Sequence, residues 1–383
     1  MKKPLLYLFF SVGFYFAQAQ SLYNKNNTLS IGNGTVLFVA DSIINDGLII
    51  NNGDIHVGGI WQNNDTYEPG QGQLTLTSSQ TQIINHNNQS FTRLAISGGG
   101  TKIFGADITI ENELEMNAGI LKSDGDAKII IEDGATIIGG SSSSYIEGPL
   151  YHVGTGNKYF PVGVNNVFLP VELLDIQGAT PTTGILVNAP NPNLEVDASL
   201  TAVTDQQYWE LDVLAGSFDN AQIKLPVVEE LFLETIQDAV VVQSPDLNTP
   251  FASLGGTSIT GDVMDGSVTS EALATQSFFT IGKSSGETIA NINVYNAISP
   301  NGDSINDFLK IENIELYPNN FITVYTRWGD KVFEQAGYNN IEHVFEGKSN
   351  LGKNRQLLEG TYYYVVEKGD GSKNESGFIV IRY

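Results

Sequence analysis

The sequence predicts an all-β protein: a short β-helix-like or sandwich N-terminal region, a central β-sandwich, and a C-terminal immunoglobulin-like sandwich of about seven strands. Three features carry this expectation. Ile, Val and Leu occur in short runs that alternate with polar residues, which is the period of a strand. Asn-Gly and Asp-Gly close those runs at short spacing and supply the left-handed backbone that tight corners need. The last segment then repeats the strand signal about seven times in under a hundred residues.

Composition limits the alternatives. At roughly 150 residues per domain, 383 residues allow two to three domains. With 41% apolar residues the chain is not a disordered polymer. Its 19 Lys+Arg face 43 Asp+Glu, a net charge of −24, and no basic cluster exists to bind nucleic acid or an anionic membrane surface. The absence of cysteine removes disulfides, thiolate metal sites, a Cys nucleophile and a lipid-acylated Cys.

Residues 1–19 combine Lys2-Lys3, the apolar run Leu5 to Phe16 and the end Ala17-Gln18-Ala19. That order matches a cleaved secretory signal, and the run is too short to span a bilayer. Cleavage after Ala19 would leave an exported chain with no membrane span.

Residues 20–148 read as a repetitive, solenoid-like β region. Ile43-Ile44-Asn45-Asp46-Gly47-Leu48, Ile49-Ile50-Asn51-Asn52-Gly53-Asp54 and Ile55-His56-Val57-Gly58-Gly59-Ile60 form a six-residue echo. Looser versions follow at Leu94, Ile108, Leu114 and Ile129. Quasi-repetition argues for stacked strands in a short parallel β-helix, and a sandwich with hairpins at the same dipeptides is the alternative. Residues 149–283 lose the repeat. Strand-like runs occur at Tyr159, Phe168, Gly184, Tyr208, Ala239 and Phe278, and residues 227–238 are expected to hold one short helix. Residues 284–289 are small and polar and read as a linker. Acidity follows this division: residues 20–289 carry a net of −23, residues 290–383 only −3.

In residues 290–383 the expected strands are 292–298, 308–314, 321–328, 331–335, 343–346, 361–368 and 378–383. Gly329 is expected first in a two-residue hairpin turn. The alternation sets Ile322, Val324 and Trp328 on one face, so Trp328 is expected in the core, while Arg327 is left open between a partner contact and a surface ion pair. Tyr362, Tyr363 and Tyr364 alternate, one side core and the other an exposed aromatic strip.

These residues also carry a resemblance. Asn296-Ala297-Ile298-Ser299-Pro300-Asn301-Gly302-Asp303-Ser304-Ile305-Asn306-Asp307 resembles the opening of the gliding motility-associated C-terminal domain, the type B sorting signal of the type IX secretion system in Bacteroidetes. Five further stretches follow in the family's order: Ile311 to Asn320, which includes Pro318; Val324 to Gly329, which includes Arg327-Trp328-Gly329; Val332 to Glu334; Gly360 to Val366, with Tyr362, Tyr363 and Tyr364; and Gly377 to Arg382. Phe345 stands where the family usually has Trp, and Leu357-Leu358-Glu359 replaces the usual lead-in to Gly360. The resemblance implies export through the type IX translocon, with an SprF-like outer-membrane β-barrel as partner. It also implies that residues 20–289 are the passenger, at the cell surface or released, and adhesin-like.

Other candidate sites are sparse. Asp303, Asn306 and Asp307 offer hard oxygen ligands suited to Ca²⁺, while the same residues suit a turn held by side-chain hydrogen bonds. Asp41-Ser42-Ile43 and Asp303-Ser304-Ile305 resemble a short O-glycosylation motif of Bacteroidetes. His56, His86, His152 and His343 are scattered, and no nucleophile elbow is present. Glu111, Glu113 and Glu115 alternate onto one face of a strand-like run, and Asp124 and Asp126 sit in a turn. Three like charges on one face suit a solvated side, so the passenger is expected to be non-enzymatic. A secreted carbohydrate-active enzyme or binding protein with the same tag is the alternative, and the identity of any glycan or protein ligand is left open.

Overall fold

A computed structural model describes residues 21–285, 292–303, 305–317, 319–352, 355–369 and 374–383. The expected signal segment, most of the linker, Ser304 and Pro318 lie outside the described residues. The chain forms two compact units, one built from residues up to 195 and 202–283, the other from 196–201 and 284–383. No helix among the described residues is long and apolar enough to cross a membrane.

The first unit begins as a solenoid of parallel strands, so the β-helix is the form the repetitive text takes. Leu22–Ile31, Ile43–Asn51, Trp61–Asn63, Gln82–Asn85, Lys102–Phe104, Leu121–Ser123 and Ile146–Glu147 stack in one sheet. Val36–Val39, Asp54–Val57, Gln73–Leu76, Ser90–Ile96, Ile108–Met116, Ile129–Ile131 and Leu150–Val153 stack in the other. Successive coils are offset by 18 to 25 residues, as Ile43 beside Trp61 and Leu121 beside Ile146 illustrate. The six-residue echo is therefore not the coil. Its first two units form one long strand, Ile43–Asn51, and its third falls on the next, Asp54–Val57.

Strand alternation buries every second residue of Ile43–Asn51, and one of those inward residues is Asn45. Asn24 Nδ2 donates to Asn45 Oδ1 at 2.7 Å, and Asn45 Nδ2 donates to Asn63 Oδ1 at 2.6 Å. All three amides are buried and pair from coil to coil, with the Asn63 Nδ2 at the end of this ladder left without a partner. Gly47 faces the same ladder, where a Cβ would stand 2.5 Å from the Asn27 carbonyl oxygen. Another corner is tied similarly. Gln82 Nε2 donates to the carbonyls of Val57 and Gly59, and one coil on Lys102 Nζ donates to those of Ser78 (2.7 Å) and Gly100 (3.0 Å). Lys102 is fully buried, and burial lowers its ammonium pKa to about 8.

Between the sheets lies an aromatic cluster of Trp61, Tyr67, His86 and Phe91. The His86 ring stacks on Phe91 with centroids 3.6 Å apart. Trp61 Nε1 donates to His86 Nδ1 at 3.1 Å, and the other ring nitrogen lies 3.2 Å from the Ser90 carbonyl oxygen. These partners fix a neutral ring with its proton on Nε2, and burial lowers its pKa to about 3.

The change of text near residue 148 is a change of strand direction inside one sheet. Leu150–Val153 runs parallel to Ile129–Ile131 on one side and antiparallel to Thr182–Asn188 on the other. The sheet then continues through Tyr208–Ala215, Phe278–Ser284, Ala239–Ser244 and Ala252–Ser253. A second antiparallel sheet faces it, ordered Gly156–Phe160, Val171–Gln177, Asn220–Val228, Asp265–Thr269 and Thr257–Gly261. One hydrophobic core runs through solenoid and sandwich together. The expected helix over residues 227–238 is a single 3₁₀ turn, Ile236–Asp238. Leu231 is exposed and Asn220–Val228 completes a sheet strand, so no apolar helical face exists to bury.

The second unit is a five-stranded sheet covered on one face by loops and two short ladders. Its order is Ala297–Ile298, Glu375–Ile381, Gly360–Glu367, Phe321–Tyr325 and Lys331–Ala336. Asn293–Val294 pairs with Ile311–Glu312, and Lys348–Ser349 with Arg355–Gln356. The expected strands 308–314 and 343–346 are mostly irregular because asparagine side chains take over the pairing. Asn340 exchanges two hydrogen bonds with the backbone of Ile311, and Asn339 Oδ1 accepts the amides of residues 341–343. Ile322, Val324, Phe345, Val366 and Ile379 form the core.

Candidate functional site

The site is assembled in the second unit by strand direction alone. Phe321–Tyr325 is antiparallel to Gly360–Glu367, which is antiparallel to Glu375–Ile381, which is parallel to Ala297–Ile298. Three strands therefore finish where Gly360–Glu367 starts. The loop after Ile298, the hairpin after Tyr325, the lead-in to Gly360 and the terminal Arg382-Tyr383 all emerge at one end of the sheet. Pro300, Asn301, Gly302, Asp303, Asn306, Asp307, Arg327, Trp328, Gly329, Gly360 and Arg382 share that end.

The first loop is held by its own side chains. Asn301 Oδ1 accepts the Asp303 amide (3.0 Å), Asp303 Oδ1 the Ile305 amide (2.8 Å) and Asp307 Oδ1 the Gly302 amide (2.8 Å). Gly302 and Asn306 hold positive φ, as Gly and Asn in tight turns do. The loop's side-chain oxygens thus serve its own amides, the geometry of the side-chain-held turn. Among the described residues no group of three or more His, Asp or Glu gathers as metal ligands. Pro300 packs on Gly347, where a Cβ would stand 3.1 Å from the proline ring and 3.3 Å from the Tyr383 hydroxyl.

The hairpin corrects the reading of Trp328. The strand ends at Tyr325, which lies beside Lys331, so residues 326–330 form the loop. Thr326 N donates to the Asp330 carbonyl, Gly329 N donates to the Thr326 carbonyl, and Gly329 has φ +87°. Alternation stops with the strand, so Trp328 does not follow Val324 into the core. It is 80% exposed, with the Arg327 guanidinium 5.1 Å from its ring centroid.

The tyrosines divide as their alternation requires. Tyr362 is buried, its hydroxyl donating to the Leu358 carbonyl at 3.1 Å, and burial raises its pKa. Tyr364 packs partly against the core. Tyr363 points outward, with Tyr325 beside it on one strand and Phe378 on the other. Tyr363 and Phe378 are each about half exposed, and with Leu358 and Trp328 they extend the apolar surface toward the shared end. The sequence reading missed Tyr325, Leu358, Phe378 and Tyr383. The outward phase of Tyr363 was the signal that leads to Tyr325 and Phe378 once the strand pairing is known.

The remaining candidates are dispersed over the first unit. A register shift between Ile110 and Glu113 breaks the run of glutamates. Glu111 accepts the hydroxyls of Ser90 and Thr92, while Glu113 lies beside Arg93 and Glu115 beside Ala95. His86 and His152 are buried and His343 is exposed. The Ser42 hydroxyl accepts the Ile60 amide and donates to Asp41.

Comparison with known families places the second unit. Residues 292–381 match the CHU_C Type IX secretion signal domain, over nearly the whole span that carries the resemblance. A chain with this domain is a secreted protein sorted by the type IX system, handled by its machinery and delivered to the cell surface or beyond. No curated protein and no solved structure matches the chain.

Proposed function

We propose that residues 20–289 are an adhesin-like structural passenger, displayed at the cell surface or released, with residues 290–383 as its export tag. The observation that carries this reading is the unbroken sheet from Val36–Val39 to Ala252–Ser253, with one core behind it. Parallel coils locked by asparagine and backbone ladders make a stiff spacer, and the sandwich extends the same sheet. Such a body suits holding a binding surface away from a cell. Its acidity, −23 over residues 20–289, favours solubility outside the cell. Residues 1–19 start the route as a cleaved signal peptide, and an SprF-like outer-membrane β-barrel receives the folded tag.

The end of the sheet that gathers Pro300, Arg327, Trp328, Tyr363 and Arg382 is the face the machinery reads. Exposed aromatic and Arg side chains together are what recognition surfaces concentrate. Deleting residues 290–383 is expected to retain the passenger in the cell envelope. Fusing them behind a signal peptide and a reporter should deliver the reporter outside. A truncated passenger that still reaches the surface or the medium ends the sorting half of this reading. Cells displaying the full chain should adhere to glycan- or protein-coated surfaces better than a deletion strain, and equal adhesion ends the adhesin half.

A further inference from the structure

One cleft in the passenger has the chemistry of a ligand site. It lies on the outer face of the sandwich's second sheet, where Tyr159, Glu172 and Lys224 stand side by side on three adjacent strands. Its volume is about 210 Å³, below the roughly 300 Å³ where drug-sized pockets begin, so it takes a ring-sized ligand. Tyr159 and Phe168 form aromatic walls, and Asp265 and Ser267 stand across from them. Lys224 Nζ donates to Glu172 Oε1 at 2.7 Å, and both side chains stay more than a third exposed to the cleft. The Tyr159 hydroxyl lies over Gly140, where a Cβ would stand 2.9 Å away.

We infer that this cleft binds a neutral saccharide ring of a surface glycan, which gives the proposed adhesin its ligand class and rests on that reading. An aromatic wall offers an apolar platform for the C–H face of a pyranose. The ion pair offers a carboxylate acceptor and ammonium donors side by side, which hydroxyl groups satisfy together because each both donates and accepts. A purely apolar ligand would strip water from the Lys224–Glu172 pair and return no hydrogen bonds. An acidic saccharide would meet Glu172 and Asp265, with Lys224 already paired, on a passenger of net −23. The remaining class is a neutral, hydroxyl-rich ring with one apolar face.

The test uses the exported full chain on an array of neutral hexose, N-acetylhexosamine and uronate oligosaccharides, followed by calorimetry on the best neutral binder. Expected is binding of neutral sugars at micromolar to millimolar concentration. Tyr159→Ala and Glu172→Gln should each weaken it by roughly tenfold, the loss that follows removal of one stacking or hydrogen-bonding partner. Lys224→Met, which keeps the stem's packing, should do the same with an unchanged melting temperature. No neutral sugar bound, uronates preferred, or affinity untouched in well-folded variants would each overturn the site. Cells that export a non-binding Lys224→Met chain and still adhere overturn the cleft as the adhesin's ligand site while leaving the adhesin reading standing. Loss of adhesion with retained export supports both.

Discussion

Trp61 and Trp209 have no exposed surface, whereas Trp328 stands 80% exposed at a hairpin tip. The same contrast runs through both units. Of the large hydrophobic side chains exposed among the described residues, nine belong to residues 292–383 and twelve to the much longer stretch 21–285. The passenger keeps both of its tryptophans inside one continuous core and meets water largely with acids and amides. The sorting domain, close to neutral, keeps Trp328, Leu358, Tyr363 and Phe378 outside. A body meant to persist outside the cell hides such surface, and a domain meant to be recognised during export presents it.

The largest expected effect tests the passenger's side of this contrast. Trp61→Ala empties the centre of the cluster with Tyr67, His86 and Phe91 and leaves His86 Nδ1 without its donor. The passenger's unfolding transition in urea should lose about 3–5 kcal/mol. A cost no greater than that of Trp328→Ala would break the comparison.

Acid sharpens it next. His86 and His152 are held neutral, with pKa values lowered by burial to about 3 and about 4. Their folded pKa values lie below that of an unfolded histidine, about 6.5. The stability they allow is therefore complete above pH 6.5 and is lost as pH falls toward 4 and then 3. At pH 5 each ring accounts for a loss of about 2 kcal/mol relative to neutral pH. Emission of the buried Trp61 and Trp209 during urea unfolding at pH 7.5 and pH 5 measures that loss. His86→Gln should remove roughly half of the histidine-dependent slope; an unchanged slope means the ring is not protonated on unfolding in this range.

Smaller still is the corner at Lys102. Lys102→Ala removes the side-chain donor of the Gly100 carbonyl and leaves the Ser78 carbonyl with only the Gly100 amide, and should cost about 1–2 kcal/mol. Gln82 performs the same task one coil earlier, so Lys102→Gln is expected to recover at least half of that loss in the same urea titration. If the two variants unfold alike, carbonyl capping is not what the buried side chain contributes.

Much of this was legible in the chain, for reasons that differ by region. Alternation in Ile43–Asn51 is local, so the all-β class and the inward face could be read directly. The coil offset of 18 to 25 residues was obscured because the six-residue echo lies mostly within one strand, and corner lengths vary. A better signal was present in Leu22-Tyr23-Asn24, Ile43-Ile44-Asn45 and Trp61-Gln62-Asn63, where an apolar residue two places before Asn marks each rung of the ladder. The shared core of solenoid and sandwich depends on which strand follows Leu150–Val153 in the sheet, a long-range choice that periodicity does not encode. In the sorting domain the motif blocks were readable, but their convergence was not. Pro300, Trp328, Gly360 and Arg382 meet only because the strands that carry them finish or start at one sheet end. Trp328 was misplaced because alternation was extended three residues past Tyr325, into a loop with no pleat.

That misplaced tryptophan supplies the smallest stability effect and the most discriminating experiment. Trp328→Ala removes a side chain whose ring touches the Arg327 guanidinium and little of the core, so the sorting domain's melting should shift by less than about 0.5 kcal/mol. Export should fall nevertheless, because an exposed ring costs nothing to delete from the fold but leaves a gap in a recognition surface. Trp328→Phe, which keeps an aromatic ring at the tip, should recover part of the export. Replacing Leu231, almost as exposed but in the passenger, with Ala controls for exposure alone and should leave export unchanged. Equal export by wild type and Trp328→Ala would remove the hairpin tip from the recognised face. Equal losses from Trp328→Ala and Leu231→Ala would show that exposed apolar surface in general, rather than this end of the sheet, governs passage.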